Sequence, residues 1–366
     1  MPEICDFLVD RNDIGCRRWY CTTLDLDLQA GEISVIHERF AFTANNITYA
    51  HCGETFGYWD YFPVPEPWGS IPVWGRGRVD RSRCADIAEG ERIYGFFPMS
   101  NRLLLRPARI KPHRFVDARP HRASLPRTYN EYIRIDHDPD YDDDLADLHL
   151  ALLPLFNLSF FLAHFLAEAR FSEARTVIVS SASSKAAMGF AFELRRVTPA
   201  GPKIVALTSP PKAKFLTDCG YYDRIVAYDG IAAALANCGP SLYVDISGDD
   251  RILEAVHHTL RGDLRGSWRA GMARRRPQRD TYDDLPGPKP ELFFTPHHIL
   301  ARRESWGPVE LRQRLSCEWR AFTAEVRTRL AFVRHEGRDA IEAVYDQVLA
   351  GRRPPNCADI LSLDGA

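Results

Sequence analysis

The chain has 366 residues, of which 45% are hydrophobic. This length favours two domains, because single hydrophobic cores stop growing at roughly 250 to 300 residues. Its 47 basic and 49 acidic side chains nearly cancel, and no long basic stretch is interleaved with aromatic residues. The charge pattern of a nucleic-acid-binding protein is therefore missing, and the one basic run, residues 269–279, is interpreted as a solvated loop.

Cysteine usage and hydropathy indicate a soluble, cytoplasmic protein. The nine cysteines form no CxxC pair, and the acidic segment MPEICDFLVDRND differs from the basic start of a signal peptide. We therefore expect reduced thiols. The longest apolar run, residues 150–169, contains Pro154, Asn157 and His164, which we expect to break it, so no membrane-spanning segment is predicted.

The first 120 residues favour β-structure. GEISVIHERFAF (31–42) alternates as a half-buried strand does, and RIYGFFP (92–98) and RLLLRP (102–107) predict further strands. Residues 119–147 are rich in Pro, Asp, Tyr and His and predict an exposed connection. Its acidic cluster lacks the spacing of an EF-hand, so a divalent metal site is the weaker interpretation.

From residue 151 onward, predicted helices and strands alternate. The segments are LPLFNLSFFLAHFLAEA, TVIVSS, KAAMGFAFELRRV, KIVALT, PKAKFLTDC, DRIVAY, SLYVDISG and DRILEAVHHTLRG, followed by helices at 308–332 and 337–351 and a strand at 358–363. Such alternation indicates βαβ units on a parallel sheet. We predict an α/β fold with one domain formed by residues 1–145 and 290–366 and a second formed by residues 146–289.

Segments in both domains resemble one superfamily. GEISVIHERFAFTANNITYA is similar to a strand pair that leads to an Asn-containing active-site turn, and VALTSPPKAKFLTDCGYYDRIVAYD is similar to the strand, helix and strand that carry the adenosine ribose. ADIAEGERIYGFFP matches the segment vkvGDrVyG at Gly90, Glu91, Arg92, Tyr94 and Gly95. The chain thus resembles the medium-chain dehydrogenase/reductase superfamily, near its zinc-free quinone oxidoreductase and enoyl reductase branches, in a branch marked by the turn SSASSK.

This resemblance implies a GroES-like, β-rich catalytic domain and a Rossmann-like, doubly wound parallel sheet that binds a nucleotide. It also implies a homodimer formed through the nucleotide-binding domain. Zinc-dependent members have a cysteine in the turn occupied here by TANNITYA and Gly-His-Glu where this chain has PVWGRGRV. Only His51 and Cys52 lie near the expected turn, so we expect an enzyme without a metal.

The turn SSASSK (180–185) occupies the place of a glycine-rich dinucleotide turn. Backbone N–H groups at a helix N-terminus stabilise a diphosphate, and these donors do not require glycine. We predict that Ser181, Ser183 and Ser184 cap the helix or bind phosphate oxygens, and that Lys185 adds a positive charge. The alternative is a capped helix start in a fold that has lost its cofactor.

The end of the next strand favours NADP(H) over NAD(H). NAD-specific sites place a carboxylate about 20 residues after the turn, whereas this strand ends in TSPPK. Ser209 and Lys212 stand where a ribose 2′-phosphate needs a donor and a cation. The resemblance adds Tyr228, which matches a tyrosine that contacts this phosphate.

The predicted catalytic groups are Asn46, Tyr49 and Asn157. Asn46 would hold a carbonyl group or the nicotinamide ribose, and Tyr49 would donate a proton or stabilise an oxyanion. The alternative is that Asn46 caps a turn and Tyr49 packs in the core. Asn157 and Ser159 match a helix start that contacts the nicotinamide end of the cofactor in the resembled family. Two further groups are weaker candidates: Tyr58, Trp59, Tyr61 and Phe62 as an aromatic wall or an ordinary core, and His297 and His298 near the cleft.

These features together predict an NADPH-dependent, zinc-independent reductase of a carbonyl group or of a double bond conjugated to one. The expected substrate is a small, apolar or planar carbonyl compound. Two alternatives stay open: a non-redox enzyme of the lyase type that transfers a proton, and a binding protein that responds to NADP(H) without chemistry.

Overall fold

The computed structural model describes residues 3–23, 27–271 and 281–363. The chain divides into two compact units. The first comprises Met1–Ala151, Ala331–Arg353 and Cys357–Ala366, and the second comprises Leu152–Leu330 and Pro354–Asn356. Of the basic run at 269–279, which the sequence predicts as a solvated loop, residues 272–279 lie outside the described residues, whereas Arg269 ends a strand and is buried.

The first unit is built mainly of strands, as its sequence predicts. In chain order its N-terminal elements are β1 (Glu3–Asp10), β2 (Arg17–Thr23), β3 (Ile33–Phe42), α1 (Ala44–His51), β4 (Trp68–Gly69), β5 (Pro72–Ser82), β6 (Arg92–Pro98), β7 (Arg102–Leu105), β8 (Pro107–Lys111), β9 (Arg114–Asp117) and β10 (Glu131–Arg134). The predicted strands at 31–42, 92–98 and 102–107 are all present. Short 3₁₀ turns connect several of them.

The second unit alternates helices and strands. Its elements are α2 (Ala146–Glu168), which starts in the first unit, then β11 (Thr176–Val179), α3 (Lys185–Val197), β12 (Lys203–Thr208), α4 (Ala213–Cys219), β13 (Arg224–Ala227), α5 (Ile231–Leu235), β14 (Ser241–Asp245), α6 (Asp250–Leu260), β15 (Leu264–Arg269), β16 (Glu291–Leu292), α7 (Thr295–Ser305) and α8 (Pro308–Val326). The chain then returns to the first unit with β17 (Ala331–Glu336), α9 (Arg338–Leu349) and β18 (Cys357–Ser362).

The strands of the first unit form two sheets. A three-stranded antiparallel sheet has the order β2-β1-β4, and a nine-stranded sheet has the order β17-β18-β3-β5-β6-β10-β9-β8, with β7 also paired to β3. Because β3 pairs with β18, β5 and β7, its polar residues Ser34, His37 and Glu38 are buried too. The strand is therefore buried on both faces and not half-buried as its alternation predicts.

The six strands of the second unit form one parallel sheet with the order β13-β12-β11-β14-β15-β16. Numbered within this unit, the order is 3-2-1-4-5-6, which is that of dinucleotide-binding sheets. The order reverses between β11 and β14, and ligands of such sheets bind outside the carboxyl ends of the strands at this reversal. The predicted doubly wound parallel sheet is confirmed.

The apolar helix α2 is longer and less interrupted than its sequence predicts. It runs for 23 residues through Pro154, Asn157 and His164 without a break. Burial of flanking residues such as Leu152, Phe156 and Phe160 outweighs the single backbone hydrogen bond that proline removes. Among the described residues, the helical stretch Asp143–Glu168 is long and apolar enough to cross a membrane, but most of its apolar window is buried, as in the core helix of a globular unit.

Helices α7 and α8 belong to the second unit, so the predicted domain boundary at residue 290 is replaced by one at Leu330. The ring of Phe322 on α8 packs 5.2 Å from the rings of both Phe156 and Phe192. Tyr221 donates a hydrogen bond of 2.8 Å to Glu325, which anchors the end of α8. The apolar face of α8 thus completes the core beside α2 and α3.

One pair of cysteines departs from the expected reduced state. Cys5 and Cys21 lie directly opposite each other on β1 and β2 and form a disulfide. The antiparallel register brings their Cα atoms to 4.1 Å, a proximity that a search for CxxC pairs does not detect. The other seven cysteines are free thiols.

The turn between β11 and α3 contains a residue in the left-handed conformation. Ser181 has φ of +48°, a value that a side chain disfavours and glycine tolerates. Ser183, two residues later, has no such conformation. The turn that lacks glycine in its sequence thus still adopts glycine-like geometry at one position.

We expect Ser181→Gly to raise the free energy of unfolding by about 0.5 to 1 kcal/mol, because relief of the left-handed strain exceeds the added chain entropy of glycine. Ser183→Gly is the matched control and should lower that free energy by about 0.5 to 1 kcal/mol. Urea unfolding followed by circular dichroism measures both. Destabilisation by both substitutions would show that position 181 carries no backbone strain.

A buried carboxyl group in α3 makes stability depend on pH. Glu193 is fully buried, and no donor in the described part of the chain reaches either of its oxygens. Burial, reinforced by the nearby Glu318 carboxylate and opposed by Arg196, raises the pKa of Glu193 to about 8. The folded protein therefore keeps a proton that the unfolded chain releases near pH 4.5, and stability falls as pH rises between these values.

We expect Glu193→Gln to raise the free energy of unfolding at pH 9 by about 2 to 4 kcal/mol and to change it little at pH 5, where the carboxyl group is neutral in the folded state. Glu310→Gln on exposed α8 surface is the control and should show no such pH dependence. Urea titrations at pH 5 and pH 9 measure these free energies of unfolding. An equal change at both pH values would contradict the raised pKa of Glu193.

Candidate functional site

Three polar residues lie side by side where the sheet order of the second unit reverses. Asp245 and Arg269 are in register at the carboxyl ends of β14 and β15, and Ser180 directly follows β11, where its backbone N–H bonds to Val244. Residues in register on parallel strands point to the same face of the sheet. The carboxyl edge at the reversal therefore carries a hydroxyl, a carboxylate and a guanidinium in a row.

Asp245 organises this edge. One of its carboxylate oxygens accepts hydrogen bonds from the hydroxyls of Ser180 and Ser247, both at 2.7 Å, and from the backbone N–H of Gly248 at 3.1 Å. The Ser180 hydroxyl also accepts from the backbone N–H groups of Ile246 and Ser247. Burial raises the pKa of Asp245, and the hydroxyls of Ser247 and Ser180 oppose this effect. The network ties the turn after β11 to the turn after β14.

Two tyrosines support the turn before α3. The Tyr222 hydroxyl donates to the carbonyl oxygen of Ala182 at 2.8 Å, and the backbone N–H of Ser181 donates to the Tyr228 hydroxyl at 3.1 Å. The sequence predicts Tyr228 as a ligand of the ribose phosphate. In the structure, the hydroxyl oxygen of Tyr228 instead accepts a hydrogen bond from the backbone of the turn before α3.

The predicted phosphate-binding residues lie at the carboxyl edge of the same sheet. Ser184 is the N-cap of α3 and accepts from the N–H of Ala187, and Lys185 is the first residue of that helix. Ser183 is buried within the turn. The first N–H groups of a helix have no acceptor within the helix, so the N-terminus of α3 presents donors at the reversal of the sheet.

Ser209 and Lys212 follow β12, the strand next to β11. Ser209 is the N-cap and Lys212 the last residue of a one-turn 3₁₀ segment, and the N–H of Lys212 donates to the carbonyl of Ser209. Both side chains are half-buried. Parallel strands end at the same edge of a sheet, so both residues follow the strand next to the one that leads into the turn before α3. Their contact with a ribose phosphate stays a prediction.

The structure changes the role of Asn46. Its side-chain oxygen accepts from the backbone N–H of Thr43 at 2.8 Å, and its side-chain nitrogen donates to the carbonyl of Pro72 at 2.9 Å. With the Thr43 hydroxyl it forms a capping box at the start of α1. Because both ends of this buried amide are engaged by backbone, its assignment as a substrate-binding group is replaced by helix capping.

Tyr49 lies in an aromatic cluster of the first unit. Its hydroxyl accepts a hydrogen bond of 3.1 Å from the Trp74 indole, and its ring packs 4.6 Å from that of Tyr58 and 5.4 Å from that of Phe96. Burial raises the pKa of Tyr49 far above its ordinary value, so the phenol stays neutral. The predicted aromatic wall is likewise buried and forms core, at Tyr58, Trp59, Tyr61 and Phe62.

Asn157 and Ser159 on α2, which are predicted to contact the nicotinamide end of the cofactor, differ in their surroundings. Ser159 is fully buried, and its hydroxyl lies 2.8 Å from the carbonyls of both Leu155 and Ala186, so it joins α2 to α3 and does not face a ligand. This close approach requires Gly189, where an added Cβ would lie 2.8 Å from the Ser159 oxygen. Asn157 is half-buried two residues earlier.

The histidines that follow β16 serve packing. The His298 ring stacks 4.0 Å from that of Phe293, and burial lowers the pKa of His298 to about 4. His297 makes an edge contact with Phe294. Among the described residues, the one group of potential metal ligands is Glu3, Cys5 and Cys21, in which both sulfurs belong to the disulfide.

The sequence predicts no ligand-binding role for Asp245 or Arg269, and it includes Ser180 only as the first residue of the turn SSASSK. One signal was present: an acidic residue ends the apolar strand SLYVD, where burial of a carboxylate demands hydrogen-bond donors. Which donors supply them depends on strand order, which only the fold reveals.

Comparison with solved structures identifies the fold. CurA from Vibrio vulnificus is similar over 99% of both chains, with a TM-score of 0.62 and 12% sequence identity. CurK enoyl reductase is similar over 98% of this chain and 99% of its own, with a TM-score of 0.52 and 13% identity. TarJ of S. aureus, solved with NADPH, is similar over 100% of both chains, with a TM-score of 0.53 and 10% identity.

A search of curated proteins by sequence finds no match. The family described as "Protein of unknown function (DUF2855)" matches residues 40–354, which include most of both units. The β-rich first unit and the parallel sheet of the second have the two-domain architecture that the resemblance to medium-chain dehydrogenases/reductases implies. The chain belongs to the DUF2855 family and has the medium-chain dehydrogenase/reductase fold.

Proposed function

We propose that the protein is an NADP(H)-dependent reductase of a carbonyl group or of a double bond conjugated to one. The observation that carries this proposal is the 3-2-1-4-5-6 sheet with a capped helix N-terminus at its reversal and a serine and a lysine, not a carboxylate, after β12. CurA and TarJ, which share the fold, were solved in complex with NADPH. This supports the same class of cofactor here.

The residues at the carboxyl edge of the parallel sheet fit the diphosphate and the ribose 2′-phosphate of NADP(H). The N-terminus of α3 offers backbone N–H groups to the diphosphate, and Lys185 at the first helical position adds a cation. Lys212 and Ser209 would contact the ribose 2′-phosphate, which the carboxylate of an NAD-specific site would repel. Tyr228, whose hydroxyl supports the turn, would act on the cofactor through the position of Ser181.

The bound cofactor would supply a hydride to the electrophilic carbon of the substrate. A proton then goes to the carbonyl oxygen, or to the carbon next to the carbonyl group when a double bond is reduced, which gives an alcohol or a saturated carbonyl compound. Asn157 and Tyr49 stay our proposals for groups that orient the substrate or donate this proton. The neutral phenol of Tyr49 retains its proton at physiological pH.

Fluorescence of NADPH on mixing with the protein tests cofactor binding, and consumption of NADPH across a panel of aldehydes, quinones and enones tests reduction. Binding without consumption would favour the binding protein, and turnover of a substrate without any NADPH would favour the lyase. A homodimer and a cytoplasmic location stay predictions.

We expect Lys212→Ala to weaken NADPH binding about ten- to a hundredfold, because a charge-assisted contact to phosphate contributes roughly 1.5 to 3 kcal/mol. NADH lacks the 2′-phosphate, so its affinity should not change. Lys214→Ala is the matched control, since Lys214 is exposed on α4 and pairs with Asp218. Fluorescence titrations give the dissociation constants, and equal affinities of the parent protein for NADPH and NADH would contradict the proposed preference.

Lys185→Ala should weaken NADPH and NADH by a similar factor, because both carry the same diphosphate. If Lys185 instead faces solvent, either affinity should change by less than about twofold, near the roughly 0.5 kcal/mol of a neutral surface substitution. The same titrations distinguish the two results. A loss confined to NADPH would place Lys185 at the ribose phosphate and overturn this assignment of the turn.

A further inference from the structure

A buried arginine at the carboxyl edge of the sheet has an unused hydrogen-bonding face. Arg269 is the last residue of β15 and is only 8% exposed. No acceptor in residues 3–23, 27–271 or 281–363 reaches its Nε or its Nη2. Leaving two donors of a buried cation without hydrogen-bond partners is costly, because these groups have lost their contacts with water.

The positions of the two unpaired nitrogens indicate which kind of ligand Arg269 can bind. Nε and Nη2 lie on the same edge of the planar guanidinium, and this edge donates two parallel hydrogen bonds to an anion with two oxygens. The ring of Tyr282 lies 5.1 Å from the guanidinium and helps to hold it by a cation–π contact. The buried guanidinium thus presents two parallel donors suited to a planar carboxylate.

The neighbouring carboxylate does not fill this role. Asp245, in register with Arg269, uses one oxygen for the hydroxyls of Ser180 and Ser247 and the N–H of Gly248. Arg269 affects it only through its charge, which opposes the rise in the pKa of Asp245. Within the described part of the chain, Nε and Nη2 of Arg269 are therefore left to a ligand.

The position in the sheet distinguishes substrate from cofactor phosphates. In the proposed binding mode the diphosphate lies at α3, after β11, and the ribose phosphate lies after β12. Arg269 lies on the other side of the reversal, two strands from β11, where a dinucleotide that crosses the reversal would place its nicotinamide half. An anion at this point belongs to the molecule that reacts with the nicotinamide.

We propose that the substrate of this protein carries a carboxylate group and that Arg269 binds it through Nε and Nη2. This inference rests on the proposed reductase function, since it assigns the substrate of the same site. It narrows the substrate to an oxo acid or an unsaturated acid.

Arginine-labelled protein tests the inference without turnover. In ¹⁵N spectra, the Arg269 Nε–H resonance is assigned by its loss in Arg269→Lys. Titration with acetate, which is small enough for any carboxylate site, should shift this resonance and saturate. Acetamide, and chloride at equal ionic strength, should not shift it. Absence of a saturable acetate shift, or an equal shift with chloride, would overturn the proposal.

Acetate binding and thermal melting of two variants test the same inference. Arg269→Gln should bind acetate at least tenfold more weakly by calorimetry, whereas Arg265→Gln, an exposed position on the same strand, should bind it as the parent does. Arg269→Gln should also melt at the same or a higher temperature without ligand, because it removes a buried unpaired charge. A large fall in melting temperature would indicate a structural arginine and contradict the proposal.

The cofactor itself provides the last control. NADPH should bind Arg269→Gln within about twofold of the parent affinity, and NADP⁺ should not displace acetate from the parent protein. Displacement of acetate by NADP⁺ would assign Arg269 to the cofactor and overturn the substrate assignment. Failure of NADPH to bind the parent protein would refute the proposed function, while the acetate titration would still report on Arg269 independently.

Discussion

The hydrogen bonding of the buried Asp245 carboxylate is the constraint on which the site depends. A carboxylate in this position needs donors, because transfer of an unpaired charge from water to a protein interior is strongly unfavourable. Ser180 supplies a hydroxyl from the strand on the other side of the sheet reversal, and Ser247 and Gly248 supply donors from the following turn. One side chain thus holds two turns at the place where a ligand of this fold binds.

The turn before α3 shows how a dinucleotide fold can form without the usual glycines. Glycine provides left-handed geometry and close approach, but the backbone N–H groups and the helix N-terminus provide the attraction for phosphate. Here Ser181 adopts the left-handed conformation, and the hydroxyls of Tyr222 and Tyr228 hold the backbone on either side of the peptide bond between Ser181 and Ala182. The strain at one residue is offset by contacts from outside the turn.

Three buried polar side chains, Asn46, Ser159 and Arg269, differ in whether they have hydrogen-bond partners. The amide of Asn46 and the hydroxyl of Ser159 are both buried with backbone partners, and each joins elements of its own unit. Arg269 is also buried, yet its bidentate edge meets no acceptor in the described part of the chain. Arg269 therefore keeps donors for a ligand, which the buried amide of Asn46 and the buried hydroxyl of Ser159 do not.

The sequence by itself determined the local elements of the second unit, because their periodicity and capping are short-range properties. α3 and β12 have the predicted bounds, and the predicted alternation of strands and helices is the parallel sheet that forms. It also placed Ser184, Lys185, Ser209 and Lys212 at strand ends, since the carboxyl ends of parallel strands share one edge. The uninterrupted α2 departs from its local signals because burial outweighs the cost of Pro154.

Tertiary structure alone decided which polar side chains meet. The partners of Asn46 and Tyr49, the carbonyl of Pro72 and the indole of Trp74, lie about 25 residues away along the chain, on β5, so neither contact can be recognised in the sequence. The Ser180–Asp245 bond spans 65 positions, and the register of Asp245 with Arg269 follows from pairing of β14 with β15. Such contacts arise from strand order and register, which depend on the packing of the whole unit and leave no local pattern in the sequence.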